Sequence, residues 1–169
     1  EKSDMAGETY FRNFHQGEPP WEDFLDSPLG DQFEEGLVIG DIRDFTDPDG
    51  DNEQGQQAME RLRSKEVDVV VGGPPCQGFS LAGRRKRRDD RNSLPDAFLD
   101  FVEELSPKAV VIENVLGINR VFKKDRQKRP YFEELHDALR DLGKPSGGYL
   151  VQRLQLDAQH FGVPQRRSR

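Results

Sequence analysis

The sequence predicts an α/β fold in which helices cover the faces of a parallel β-sheet. Two short apolar runs, Val67–Val71 and Ala109–Ile112, are rich in β-branched residues and are typical of buried parallel strands. Between them, apolar residues recur at helical spacing from Ala97 to Leu105, and Asn92-Ser93-Leu94-Pro95 is typical of a helix start. Because helices and strands alternate along the chain, the strands are expected to be parallel.

The remaining elements are predicted from apolar spacing and from turn residues. Apolar residues recur every three or four positions from Ala6 through Tyr10 to Phe14, and again from Phe132 to Leu142. Proline, glycine and acidic side chains dominate the segments on either side of a third apolar run, Leu37-Val38-Ile39. The predicted helices are 4–14, about 56–65 and 130–142; the predicted strands are 37–41, 67–71, 108–112 and 149–156; the predicted irregular segments are a surface insertion at 15–35 and a loop at 44–56.

The composition is that of one soluble domain with a thin core. The chain has 169 residues, of which 33% are hydrophobic and 34% are charged. A single cysteine excludes a disulfide framework and favours a reducing compartment. No apolar run approaches membrane-spanning length, and the three histidines lack metal-ligand spacing. We therefore expect a cytoplasmic protein with no membrane contact and no metal.

The charge is distributed unevenly along the chain. Residues 1–60 hold 17 acidic and 3 basic side chains, a net charge of −14, whereas residues 61–169 hold 15 and 22, a net charge of +7. The overall charge of −7 argues against a nucleic-acid partner. The basic second part of the chain leaves such a partner open.

The only cysteine, Cys76, lies in the segment Gly72–Ser80 (GGPPCQGFS), directly after a predicted strand. Two prolines make a stiff turn at the carboxyl edge of the sheet, where open α/β sheets bind their ligands. A thiol held there is a candidate nucleophile. The alternative is a buried structural cysteine, and these residues alone leave both readings open.

The segment around Cys76 resembles the nucleophile motif of the cytosine-C5 DNA methyltransferases, and four further elements resemble that family in the same order. They are the opening segment from Glu1 to Phe14, Gly40-Asp41-Ile42, Glu113-Asn114-Val115, and Phe161–Arg169 with its Gln-x-Arg-x-Arg pattern.

The resemblance implies a Rossmann-like sheet of an S-adenosylmethionine-dependent methyltransferase, with helices on both faces. It covers residues 1–169, but these correspond only to the middle of the family's catalytic domain. The family's glycine-rich first motif, target recognition domain and C-terminal motifs have no counterpart in the sequence. We therefore expect a partial catalytic domain with an incomplete sheet, which alone is inactive.

The resemblance also implies a reaction, methyl transfer to C5 of a flipped cytosine in double-stranded DNA, and assigns catalytic residues to it. Cys76 would attack C6 of the base, and Glu113 would bind N3 and the exocyclic amine. Arg169 would contact the cytosine O2, and Arg167 would support the site or a phosphate.

For the cofactor, S-adenosylmethionine, the resemblance implies four binding residues. Glu1 would bind the ribose hydroxyls and Asp41 the adenine amine, while Pro75 and Leu94 would line the pocket. DNA as substrate places the protein at the nucleoid if the source is prokaryotic.

A basic segment follows the nucleophile motif, and we expect residues 80–91 to form a mobile catalytic loop. A loop that closes over DNA can hold a flipped base, and its basic side chains can contact phosphates without reading sequence. The alternative is a solvated charge run. The side chains expected to bind DNA are Ser80, Arg84, Arg85, Lys86, Arg87 and Arg88.

Two other functions stay open. The tRNA-methylating branch of the family shares the thiol and the Glu-Asn-Val element, although Gly78-Phe79-Ser80 favours DNA. A truncated homologue could bind nucleic acid without catalysis. The target DNA sequence, a restriction–modification or solitary role, and the oligomeric state are not determined by the sequence.

Overall fold

The computed structural model describes most of the chain, which divides into two compact units, one ending at Val67 and one beginning at Asp68. The described residues are 2–15, 19–46, 52–74, 94–119, 121, 129–142 and 148–169. In these ranges the first unit contains α1 (Asp4–Phe14), α2 (Trp21–Leu25), α3 (Leu29–Glu34), α4 (Arg43–Thr46) and α5 (Glu53–Ser64). The second contains β1 (Val69–Gly72), α6 (Leu94–Leu105), β2 (Ala109–Ile112), α7 (Tyr131–Asp141) and 3-10 turns at Leu116–Asn119 and Ala158–Phe161.

In the second unit, β1 and β2 lie side by side as parallel strands. Val69 is opposite Ala109 and Gly72 is opposite Ile112, so both strands end at the same edge. The intervening α6 buries the apolar stripe that predicted it, with Phe98 only 6% exposed. The predicted strand–helix–strand unit is therefore confirmed, but the burial expected of its strands is wrong, because Val69, Val71 and Val111 are each more than half exposed in this two-stranded sheet. A complete Rossmann-like sheet with helices on both faces stays a prediction.

The backbone of β1 approaches α6 closely at Gly72. A Cβ atom at this position would lie 2.2 Å from Cε2 of Phe98, far inside van der Waals contact. Glycine is thus required by packing at position 72, the last residue of β1.

Replacing Gly72 by alanine is expected to lower the free energy of unfolding by about 1–3 kcal/mol, because Phe98 or the strand must shift. Urea unfolding measures the change. Gly117→Ala serves as the control, because a Cβ there meets only Cγ2 of Val115 at 3.6 Å. Equal unfolding midpoints for Gly72→Ala and wild type would contradict the packing argument.

The first unit is built around an aromatic cluster of Phe11, Trp21 and Phe24. The ring centroid of Phe11 lies 4.5 Å from that of Phe24 and 5.5 Å from that of Trp21. All three side chains are buried, and such pairs stabilise a fold beyond their buried area. The cluster therefore holds α2 against α1.

The irregular conformation predicted for 15–35 is wrong in its described part, which forms α2 and α3. Pro20 and Pro28 directly precede these helices and have no backbone N–H to leave unpaired at a helix start. Proline here begins helices instead of marking a loop. Whether the segment is an insertion stays a prediction.

The buried face of α1 is displaced by one position from the predicted stripe. Gly7 and Phe11 are buried, whereas Tyr10 is 45% and Phe14 is 68% exposed. The partners of Phe11 lie in α2, within the segment predicted as irregular. Without that partner helix, the sequence could not show which side of α1 is covered.

The strands predicted at 37–41 and 149–156 do not form in the described residues. In the first segment, the side chain of Gln32 binds the backbone N–H of Ile39 in place of a neighbouring strand. In the second, antiparallel pairing with the end of the chain begins only at Leu156. Apolar alternation gives a strand only where a partner strand completes the ladder.

The helices predicted at 4–14, about 56–65 and 130–142 are confirmed as α1, α5 and α7. The loop predicted at 44–56 is wrong at both ends, since α4 reaches Thr46 and α5 begins at Glu53; residues 47–51 lie outside the described ranges. Within the described ranges, no helix combines the length and the apolar character that a membrane span requires.

Candidate active site

The ends of β1 and β2 form one polar edge of the second unit. The backbone N–H of Glu113 donates to the carbonyl oxygen of Gly72 at 2.9 Å, which extends the pairing one residue beyond β2. Nδ2 of Asn114 donates to the carbonyl oxygen of Pro74 at 3.2 Å. The end of β1 and Pro74, which follows it, are therefore fastened to the Glu113-Asn114 segment.

The carboxylate of Glu113 lies close to the backbone of Gly73. A Cβ atom added at Gly73 would lie 3.2 Å from Oε2 of Glu113, so the side chain passes close to the glycine backbone. Oε1 accepts a hydrogen bond from Nε of Arg169. The Glu113 side chain remains 55% exposed, against 25% for Arg169. The ion pair leaves the carboxylate accessible to a ligand.

Arg169 is held by an antiparallel turn that folds back from Leu156. The backbones of these two residues exchange hydrogen bonds of 2.9 and 2.8 Å. Asp157 secures the turn, since it accepts hydrogen bonds from Oγ of Ser168 at 2.6 Å and from the backbone N–H of Arg167 at 3.2 Å. The Ser168 hydrogen bond is the main cause that lowers the pKa of Asp157.

Removing the carboxylate of Asp157 is expected to loosen the turn and misplace Arg169. We expect Asp157→Ala to speed amide hydrogen exchange at Arg169 about ten-fold, because three hydrogen bonds to a charged acceptor are lost. Asp157→Asn, which keeps an acceptor oxygen, should fall between alanine and wild type. Hydrogen-exchange rates measure both, with the exposed Gln155→Ala as control. Wild-type exchange at Arg169 in the alanine variant would exclude this supporting role.

The predicted cofactor carboxylate, Asp41, lies in the first unit. Arg43 donates to Oδ1 from its backbone N–H (3.1 Å) and from Nε (2.8 Å), and it donates from Nη2 to Oδ2. Nζ of Lys2 donates to Oδ2 at 2.7 Å. Hydrogen bonds from Arg43, with those from Lys2, hold the pKa of Asp41 well below its usual range, although burial opposes them. Asp41 is thus an ionised carboxylate with its side chain 12% exposed.

The structure brings some of the predicted site residues together and does not describe others. Glu113 and Arg169 are in contact, Arg167 is exposed two residues before Arg169, and Leu94 is the first residue of α6 and 36% exposed. The predicted site residues outside the described ranges are Glu1, Pro75, Cys76, Ser80, Arg84, Arg85, Lys86, Arg87 and Arg88, with the whole loop 80–91. In the parts of the chain that are described, no group of three or more histidine, cysteine or acidic side chains could hold a metal ion.

Two supporting residues carry no role in the sequence analysis. Asn114 stands in the Glu-Asn-Val element, but its bond to Pro74 depends on two strands meeting at one edge. Asp157 is the N-cap of a 3-10 turn that ends at Gly162, whose φ of 80° is the left-handed conformation that glycine adopts readily. An Asp followed five residues later by Gly was the available signal for this turn.

Comparison with known proteins places this site in a family. Residues 33–169 match the family model described as C-5 cytosine-specific DNA methylase. The chain is 44% identical over 111 residues to the Type II methyltransferase M.DdeI of Desulfomicrobium norvegicum, which covers 64% of this chain and 25% of that protein. It is 43% identical over 110 residues to the Type II methyltransferase M.AquIA of Picosynechococcus sp., covering 64% and 44%.

A third relative, the Type II methyltransferase M.AgeI of Thalassovita gelatinovora, is 43% identical over 108 residues, covering 62% of this chain and 22% of that protein. The aligned part of the chain thus spans between about a fifth and a half of the length of these relatives. No solved structure matches the chain significantly. The match of the family model over residues 33–169, which include Glu113 and Arg169, shows that the chain belongs to the C-5 cytosine-specific DNA methylase family.

Proposed function

We propose that this chain carries the catalytic residues for methyl transfer from S-adenosylmethionine to C5 of a flipped cytosine in double-stranded DNA. The observation that carries the proposal is the accessible Glu113–Arg169 pair at the carboxyl edge of the sheet. This edge is fastened to Pro74, two residues before Cys76. In this proposal Cys76 supplies the nucleophile, Glu113 the proton donor and Arg169 the guanidinium.

The chemistry requires these residue types because cytosine C5 is a weak nucleophile. Attack of the Cys76 thiolate on C6 forms an S–C6 bond, and the carboxylic acid form of Glu113 transfers its proton to N3, which neutralises the negative charge that this attack places on the ring. The resulting enamine makes C5 nucleophilic. After C5 has taken the methyl group, water accepts the C5 proton, the S–C6 bond breaks to expel the thiolate, and the N3 proton returns to Glu113, which restores the aromatic ring.

Arg169 serves two purposes in this proposal. The Nε–H of its guanidinium donates a hydrogen bond to Glu113. Since arginine carries five N–H donors, further N–H groups are available to a second acceptor. The cytosine O2 is such an acceptor, next to the N3 that Glu113 binds. One arginine can therefore orient the carboxylate and the base together.

The bound cofactor would supply the methyl group, and Asp41 fits its adenine. An ionised carboxylate accepts a hydrogen bond from an exocyclic amine, and Asp41 is ionised. Its four acceptor positions already receive donors from Arg43 and Lys2. The Lys2 side chain is 69% exposed, so we expect Lys2 to yield its position to the amine.

The remaining assignments rest on the sequence alone. Glu1 on the ribose, with Pro75 and Leu94 along the pocket, completes the cofactor site in this proposal. The basic run 84–88 contacts phosphates and supplies affinity without reading sequence. The basic charge of residues 61–169 agrees with such a role.

Transfer of a radioactive methyl group tests the proposal. Full-length protein is incubated with tritiated S-adenosylmethionine and either mixed-sequence duplex DNA or tRNA, followed by nucleoside analysis. We expect label in 5-methylcytosine of DNA and none with Cys76→Ala. Label confined to tRNA would favour the RNA branch, and no label from folded protein would favour a non-catalytic role; either result would overturn the proposal.

A further inference from the structure

The first unit contains a buried polar side chain that has no part in the proposed catalysis. Gln32, on α3, is only 2% exposed. Charged and amide side chains are seldom buried unless they have partners. The partners of this amide therefore indicate what it supports.

The amide of Gln32 connects two backbone segments. Its Nε2 is within hydrogen-bonding distance of the carbonyl oxygens of Phe24, Leu25 and Ser27, at 3.4, 3.3 and 3.0 Å, around the end of α2. Its Oε1 accepts the backbone N–H of Ile39 at 2.9 Å. Gln32 thus fastens the segment 37–41 to the end of α2.

This bond replaces the strand pairing that the sequence predicted for 37–41. A backbone N–H that is shielded from water needs a partner, and at the partly buried Ile39 that partner is a side chain. The Ile39 side chain packs against the aromatic cluster and against Gly7, where an added Cβ would lie 2.2 Å from Cδ1. Ile39 is therefore fixed through both its backbone and its side chain.

Asp41 follows Ile39 by two residues, which is about 7 Å along an extended chain. We propose that Gln32 is a positioning residue for cofactor recognition: it fixes the segment 37–41 so that Asp41 is aimed at the exocyclic amine of an adenine. This inference rests on the proposed role of Asp41. Gln32 lies just before the region that the family model matches, residues 33–169.

Discrimination between two ligands provides the test, because the ratio of their dissociation constants is insensitive to the fraction of folded protein. S-adenosylhomocysteine carries the amine, whereas S-inosylhomocysteine has a carbonyl oxygen at that position, which a carboxylate repels. Full-length wild-type protein is expected to prefer the first ligand. Calorimetric titration gives both dissociation constants.

Gln32→Met keeps the length of the side chain and removes all of its hydrogen bonds. We expect this variant to reduce the preference for the adenine ligand about ten-fold, because Asp41 is then no longer held in position to accept a hydrogen bond from the adenine amine. Asp41→Ala should reduce it at least as much, and the double variant should show little further loss. Gln54→Ala is the matched control, because Gln54 accepts the backbone N–H of Leu29 on the exposed side of α3.

The variants distinguish a wrong role for Gln32 from a wrong role for Asp41. A folded Gln32→Met protein with the wild-type preference, beside an Asp41→Ala protein that has lost it, would overturn the role of Gln32 and leave the cofactor assignment intact. An Asp41→Ala protein with the wild-type preference would overturn both. If Gln32→Met does not fold, Gln32→Glu replaces it, because a glutamate at this position still offers an acceptor to the N–H of Ile39. Faster amide exchange at Ile39 would show that the segment 37–41 is loosened in this variant. A wild-type ligand preference in such a loosened protein would also refute the inference.

Discussion

Replacing Glu113 by glutamine is expected to reduce kcat for cytosine methylation about 10²–10⁴-fold, the usual contribution of a positioned general acid. Glutamine fills the same volume over Gly73 and can still accept from Arg169, so the fold and the turn should persist. It cannot transfer a proton to N3 of the base. Steady-state methylation of DNA with saturating S-adenosylmethionine measures the loss.

Affinity for the cofactor separates this effect from a general defect. The dissociation constant for S-adenosylhomocysteine should be unchanged in Glu113→Gln, because the loss concerns the base. Glu60→Gln, an exposed position on α5, is the matched control and should retain wild-type kcat. A Glu113→Gln enzyme with more than about a tenth of the wild-type kcat would contradict the proton-transfer role.

Replacing Arg169 by alanine is expected to reduce kcat/KM for DNA about 10- to 100-fold. The charged guanidinium would no longer donate hydrogen bonds to its two acceptors, the Glu113 side chain and the cytosine O2. The second expectation concerns coupling. Since Nε of Arg169 donates to Glu113, the Glu113→Gln/Arg169→Ala double variant should lose less than the two single losses combined.

Arg166→Ala controls for the loss of one positive charge in the same segment. Arg166 is exposed and stands at the variable position of the Gln-x-Arg-x-Arg pattern, so we expect at most a two-fold change. Strict additivity of the Glu113 and Arg169 losses would show that the contact between these side chains has no catalytic consequence.

Local sequence patterns were sufficient for the elements on which the site stands. The valine-rich runs predicted two parallel strands because β-branched side chains suit a pleated sheet, although only Val70 among the strand valines is buried. The position of Glu113 followed directly, since parallel strands present their carboxyl ends at one edge. Predicting a carboxylate at the end of β2 required no information beyond the order of the elements, and the structure shows this carboxylate to be accessible.

Contacts over long sequence separations were beyond these patterns. Glu113 and Arg169 are 56 residues apart, and their contact depends on the turn that Asp157 secures. Gln32 was missed for a related reason: proline and acidic residues around it indicated an irregular surface, whereas Trp21 and its neighbours bury α2 against α1. The partner helix, which decides what is buried, could not be read from composition.

Covalent trapping tests the central claim most directly. Full-length protein is incubated with S-adenosylmethionine and duplex DNA in which 5-fluorocytosine replaces cytosine, so that the fluorine at C5 prevents elimination of the thiolate. We predict a denaturation-resistant protein–DNA adduct that requires both the cofactor and Cys76 and is absent with Cys76→Ala. No adduct from folded wild-type protein, or an adduct that persists in Cys76→Ala, would contradict the account.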